Sequence, residues 1–272
     1  MKTNQPDCAL ERAFTRSDLL IVVALVLLLV AVQLPTFANT KSGSQSGTCA
    51  NNLRRLVQAW NMYADDNGGR LVPNNGSDPN HLEGTWAAGW LDFTSSFDNI
   101  NTDYLVNSER TGRYGLLGPY LKRDASVFKC PADRSQITIF GRVQARVRSV
   151  SMNNWLGGNS WASQDQFKVF RTMEEITRPE PSKLLAILDE REDTMNDSLF
   201  SIDMNDTLAA LPASYHEGGA NLAFADGHVR FRLWQDPRTV PVLQRGQQIP
   251  LQVPMIDNPD LEYLRSVATA LK

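Results

Sequence analysis

The sequence predicts an α+β protein: an N-terminal transmembrane helix followed by a globular head built on an antiparallel sheet. Three observations carry this. One run of apolar residues is long enough to cross a bilayer, short alternating segments read as strands, and few stretches carry long helical periodicity. The chain has 272 residues, room for one large domain or two small ones. Its 27 basic and 30 acidic residues leave a net charge of −3, which gives no field suited to nucleic acid.

The apolar run comes first. Leu19 to Val32 is fourteen residues without a polar side chain, and "LPTFA" carries the apolar region past Gln33 to Ala38. That length matches the ~20 residues of a membrane span. Basic residues before it place the N-terminus in the cytoplasm. The segment makes a poor cleavable export signal, because no A-x-A-like site follows the apolar core. Asp18 stands directly before the run, where a carboxylate is costly unless it caps the helix with Ser17, lies at headgroup level or finds a partner.

"NTKSGSQSG" reads as a flexible linker, since Gly43 and Gly47 each cost ~1 kcal/mol in a helix. "CANNLRRLVQAWNMYADDNGG" then reads as an amphipathic helix, with Leu53, Leu56, Val57, Trp60 and Ala64 on one stripe and Asn67-Gly68 at its end. Residues 71–114 are loop-rich. Trp86 and Trp90 there either close a small core or anchor a partner or a sugar, as could Trp161. "YGLLGPYLK" reads as a short helix and Cys130-Pro131 as a turn. "VRSVSMNNWLGG", "KLLAILDE" and "SLFSID" read as strands. A Pro- and Gln-rich tail closes on an amphipathic helix with Leu261, Leu264, Ala268 and Leu271 on one face.

Two segments could carry chemistry. Asp189, Glu190, Glu192 and Asp193 begin the densest acidic region, which either holds Ca2+ or forms a solvated loop with Arg191 pairing locally. "YHEGGANLAFADGHVRF" places His216 ten positions before Asp226-Gly227, a turn signal for a type I′ hairpin. Pairing outward from that turn sets Phe224 opposite Val229 and Leu222 opposite Phe231. Cys49 and Cys130 can pair as a disulfide in an oxidising compartment or stay two unrelated buried thiols. No nucleophile, phosphate-loop or zinc-protease motif occurs.

"RAFTRSDLLIVVALVLLLVAVQLP" resembles the class III signal of type IV prepilins and type II secretion pseudopilins. The resemblance implies cleavage by prepilin peptidase between Ala13 and Phe14 and N-methylation of Phe14. It also implies a register-setting role for Asp18, four residues on, and a pilin-like fold. Ala13 and Asp18 depart from the family's Gly and Glu. The "Cys-x-x-Asn-Leu" helix resembles related proteins too, and His216 with Asp226-Gly227 resembles the H-x9-DG signature of a group of prepilin-like proteins.

The domain plan that follows is a leader at 1–13, a transmembrane or filament-core helix at 14–38 and a linker at 39–48. A periplasmic or extracellular head occupies 49–236, with the H-x9-DG hairpin at 216–234. Residues 237–272 form the tail and C-terminal helix. The expected function is a non-enzymatic structural subunit, anchored by a single pass in the bacterial inner membrane. Its partners would be other pilin or pseudopilin subunits, prepilin peptidase and the secretion or pilus assembly machinery, with no nucleic acid and no cofactor other than Ca2+. The competing expectation is a membrane-anchored module that binds polysaccharide or protein cargo.

Overall fold

The computed structural model describes residues 16–76, 84–158 and 166–272, with the side chains of 28–42 outside the description. The chain divides into two compact units between Lys41 and Ser42. Helix α1 runs Arg16–Asp66, with Asp18 in its first turn. The expected linker at 39–48 is therefore helical. In the second unit, side chains outweigh the glycine cost: Gln45 donates to the Pro131 carbonyl at 3.2 Å, and Asn221 donates to the Ser46 carbonyl at 3.1 Å.

The transmembrane expectation is corrected. Among the described residues no helix is long and apolar enough to cross a membrane.

In the second unit, the C-terminal part of α1 lays its apolar stripe on a sheet. Leu53, Leu56, Val57, Trp60 and Ala64 are all fully buried, as the helical spacing predicts. Short helices α2 (Asp103–Val106) and α3 (Ser108–Thr111) follow, with 3₁₀ turns at Phe97–Ile100, Gly118–Leu121 and Ala125–Phe128. A hairpin of β1 (Gln136–Ile139) and β2 (Arg142–Ala145) comes next, turning at Phe140-Gly141. Sequence reading passed over that hairpin. The turn residues have φ of 49° and 73°, and an exposed Phe is a poor signal for such backbone.

The main sheet holds five strands in the order β5-β3-β4-β7-β8. These are β3 (Val150–Asn153), β4 (Leu185–Asp189), β5 (Leu199–Phe200), β7 (Gly219–Phe224) and β8 (Val229–Leu233); β6 (Thr207–Leu208) pairs separately with β9 (Val253–Pro254). β3 and β5 run parallel and the other pairs antiparallel, so the sheet is mixed rather than antiparallel as expected. Val150, Met152, Ala186, Ile187, Ala223 and Ala225 pack toward α1. Leu185, Leu188, Ala220, Leu222 and Phe224 pack on the other side with Leu261, Leu264, Val267 and Ala268 of helix α4 (Pro259–Ala268). A register shift between Leu185 and Ile187 places the neighbours Ala186 and Ile187 on the same side.

The C-terminal helix starts as its sequence requires. Asn258 caps it, accepting from Asp260 N and Leu261 N, and Pro259 fills the first turn. Leu271 lies beyond the helix and is exposed, so the expected four-residue face loses that member. Buried Asn153 joins the layers by donating to the carbonyls of Leu185 and Ala268, both at 2.9 Å.

The hairpin register differs by one residue from the expected one. Ala223 pairs with Val229, Leu222 with Arg230 and Asn221 with Phe231. Gly227 N donates to Phe224 O at 2.9 Å, closing a three-residue loop, with Gly227 at φ 96°. The cause lies across the sheet: Ala225 N donates to Leu184 O and Asp226 N to Pro181 O. Those bonds commit Ala225 and Asp226 to the β4 side, so they cannot also close a two-residue turn. The slip puts His228, Arg230 and Arg232 beside Phe224, Tyr263 and Asp260.

Candidate functional site

His216 belongs to a turn that its neighbours dictate. Glu217 and Gly218 both have positive φ, 54° and 85°, as a type I′ turn requires. His216 N donates to Gly219 O at 3.3 Å, and Gly219 N returns to His216 O at 3.1 Å. Gly219 is required for another reason: a Cβ there would lie 2.3 Å from the Arg232 carbonyl oxygen. The chain turns at Asp226-Gly227 through a three-residue loop rather than the expected type I′ turn, whereas Glu217-Gly218 has the type I′ backbone and fixes where the imidazole enters the head.

There the imidazole meets three side chains from distant parts of the chain. Cys49 comes from α1, Cys130 from the turn after the last 3₁₀ segment, and Asp189 from the end of β4. The ligand atoms of Cys49, Cys130, Asp189 and His216 all lie within 4.8 Å of one another, and all four residues are buried. Cys49 Sγ donates to Asp189 Oδ2 at 2.5 Å. Cys130 Sγ lies 3.3 Å from His216 Nε2. Cys130 is held in place by its own N–H, donated to Ser149 Oγ at 2.7 Å, and by the bond from Asp133 N to its carbonyl at 3.0 Å. Ala132 N–H points at its sulfur from 3.4 Å.

Burial sets the electrostatics of the cluster. Desolvation pushes the Asp189 carboxyl up to about 7, partly offset by hydrogen bonds from Cys49 and Cys130. The Cys49 thiol is raised by its hydrogen bond with Cys130, by burial and by the nearby Asp189. Burial lowers His216. Asp189, Cys49 and His216 are thus each pushed toward the neutral form. Asp189 Oδ1 and His216 Nδ1 are buried without a hydrogen-bond partner among the described residues.

The structure brings Cys49 and Cys130 together, yet both are free thiols rather than the disulfide offered as one expectation. The acidic set Asp189, Glu190, Glu192 and Asp193 does not gather around one point. Asp189 joins the cysteines. Glu190 accepts from Ser151 Oγ at 2.6 Å and Thr194 Oγ1 at 3.2 Å, and burial raises it to about 8. Asp193 takes both arms of Arg191, at 2.9 and 2.6 Å, in a fully buried pair. Glu192 faces Arg245 at 3.5 Å. The expected alternative, with Arg191 pairing locally, describes this loop better than a Ca2+ site, although the loop is buried rather than solvated.

Asp226 and His228 pair with each other at the exposed hairpin tip, 2.6 Å apart. They are no part of the buried cluster, so the H-x9-DG elements sit at the two ends of β7 in separate roles. Trp86 is core, stacked on Phe128 and donating to Asn74 Oδ1 at 2.9 Å. Trp90 is 46 % exposed. Ala13, Phe14 and Trp161 lie outside the described residues, and Asp18 lies in the first turn of α1.

Nothing in the spacing of residues 49, 130, 189 and 216 announces their convergence. The one local signal is Gly218-Gly219, which demands a turn and so fixes His216. Compared with known proteins, the chain matches no family model, no curated protein and no solved structure.

Proposed function

We propose that the chain is a non-enzymatic structural subunit, akin to a pseudopilin or minor pilin, which assembles with further copies through the N-terminal part of α1. The observation that supports this reading is the surface of that helix. Leu19, Leu20, Ile21, Val22, Val23, Leu25, Val26 and Leu27 are each between 47 % and 69 % exposed. Consecutive apolar positions cover every side of a helix rather than one stripe, so the segment needs partners all around. Like helices from other copies satisfy that need, as in the filament core of a type II secretion or type IV pilus system. In this reading the head stands outside the cytoplasm, and a prepilin peptidase releases Phe14 as the new N-terminus.

The burial of the Cys130–His216 contact supports a structural role. The two residues are 1 % and 2 % exposed, so neither side chain is presented on the surface of the head. Two measurements test the reading. Mass spectrometry of the protein from its native host should find a methylated Phe14; an intact Met1 or a cut near Ala38 overturns processing. Cross-linking of the full chain should give ladders that Leu20→Asp abolishes while the urea midpoint of the head stays put. Ladders unchanged by Leu20→Asp overturn assembly through α1.

A further inference from the structure

We propose that Cys49, Cys130, Asp189 and His216 form a structural binding site for one zinc-class divalent ion. The inference stands apart from the assembly reading, because it rests on the interior of the head alone.

The donor set comes first. Two sulfurs, one imidazole nitrogen and one carboxylate oxygen suit a borderline-soft ion in tetrahedral coordination. Calcium and magnesium prefer oxygen throughout, and this set offers them one oxygen-bearing side chain. Among the described residues this is the group of potential ligands that converges.

The distances fit with a small adjustment. Ligand bonds of about 2.0–2.3 Å around a tetrahedral centre place ligands ~3.5 Å apart. The Cys130–His216 contact of 3.3 Å is already near that spacing, and the Cys49–Asp189 contact of 2.5 Å must open. All ligand atoms lie within 4.8 Å of one another, so no backbone element has to move far.

Two atoms point to a missing partner. Asp189 Oδ1 and His216 Nδ1 are buried with no hydrogen bond among the described residues. Unsatisfied buried polar atoms are rare. A cation satisfies the Asp189 oxygen directly, whereas a cation on His216 Nε2 fixes the proton on Nδ1 and leaves that N–H to an acceptor outside the ligand set. Ala132 N–H beside the Cys130 sulfur is suited to stabilise a thiolate.

The site is closed. Four protein ligands, each at most 2 % exposed, leave no coordination position for substrate, which marks a structural rather than a catalytic ion. An ion here would tie α1, the Cys130 turn, β4 and the turn before β7 to one point. An open cleft of about 630 Å³, lined by Thr48, Asn52, Cys130 and Pro131 among others, gives a path to the Cys130 side. Binding releases the two thiol protons, together with that of Asp189 wherever the carboxyl is protonated.

The test uses the full chain, purified under reducing conditions, with Co2+ as the spectroscopic probe. One equivalent of Co2+ should produce thiolate-to-cobalt charge-transfer absorption and the intense visible bands of a tetrahedral centre. Zn2+ should displace them, and chelation should lower the melting temperature by several degrees. Cys130→Ser should abolish the charge-transfer bands or weaken them severely, whereas Cys8→Ser should leave them intact. Should Cys130→Ser fail to fold, alkylation of the wild-type chain decides: Co2+ or Zn2+ should protect Cys49 and Cys130 together, as mapped by peptide mass spectrometry. Absence of the bands in reduced, folded wild-type protein overturns the proposal. So does their survival in Cys130→Ser, or alkylation of both cysteines at the same rate with and without metal.

Discussion

Replacing Arg191 with Met separates a buried clamp from an acidic loop waiting for a cation. Arg191 and Asp193 are both fully buried, joined by two charge-assisted bonds of 2.9 and 2.6 Å. The guanidinium also reaches the carbonyls of Pro241, at 2.5 Å, and Val242, at 3.4 Å. Asp193 Oδ2 accepts from Gln244 N at 2.9 Å. One ion pair thus holds the extended tail against the end of β4. Arg191→Met keeps the apolar length of the side chain but strands the Asp193 carboxylate. Removing one partner of a buried pair costs about 3–5 kcal/mol. At ~2–4 °C per kcal/mol for a domain of this size, the melting temperature should fall by roughly 6–20 °C. The assay is urea unfolding of the full chain followed by tryptophan fluorescence, with thermal melts alongside. The double variant Arg191→Met/Asp193→Leu should recover part of the loss, because no charge is left stranded. Limited proteolysis of the single variant should cut first near Pro241–Gln244. A single variant within ~1 kcal/mol of wild type would refute the clamp. Tighter Ca2+ binding together with unchanged stability would restore the acidic loop as a cation site.

Three further substitutions probe the layers around the sheet. Gly219→Ala places a Cβ 2.3 Å from the Arg232 carbonyl oxygen and 2.5 Å from the Phe231 ring, so β7 and β8 must move apart. Overpacking of this kind should cost about 1–3 kcal/mol, read as a lower urea midpoint, and an unchanged midpoint would show that the strands yield freely. Leu264→Ala empties a fully buried position under α4 and should cost about 2–5 kcal/mol, whereas Leu271→Ala, 65 % exposed, should stay within ~0.5 kcal/mol. Equal effects at the two positions would contradict the packing of the C-terminal helix.

The fold was legible wherever a single element decides its own environment. The stripe from Leu53 to Ala64 and the face of Leu261, Leu264 and Ala268 in α4 depend on helical spacing alone, and both are buried in the structure as read. Legibility failed where a third element intervenes. The alternation around Asp226-Gly227 is compatible with two registers. The choice between them is made by Leu184 and Pro181, whose carbonyls take the N–H groups of Ala225 and Asp226. The glycines at 43 and 47 are a similar case, since the bonds from Gln45 to Pro131 and from Asn221 to Ser46 cannot be seen in composition.

The buried cluster lies at the far end of this scale. Its four members stand at positions 49, 130, 189 and 216, each on a different element. Local sequence explains each placement separately: a helical stripe for Cys49, a Pro-containing turn for Cys130, a strand end for Asp189, and a Glu-Gly turn for His216. It does not explain their meeting, which requires the order β3-β4-β7 and α1 packed on one side of that sheet. A histidine on a buried turn and a carboxylate at a strand end are individually ordinary. Brought together with two thiols in a space 4.8 Å across, they put three ionisable acids and a base where water cannot solvate their charges. A core held only by packing would favour apolar side chains at these positions, as it does at neighbouring Leu188 and Ile187. Retaining four potential ligands there costs stability unless something charged binds them, and that cost is the physical reason to look for an ion.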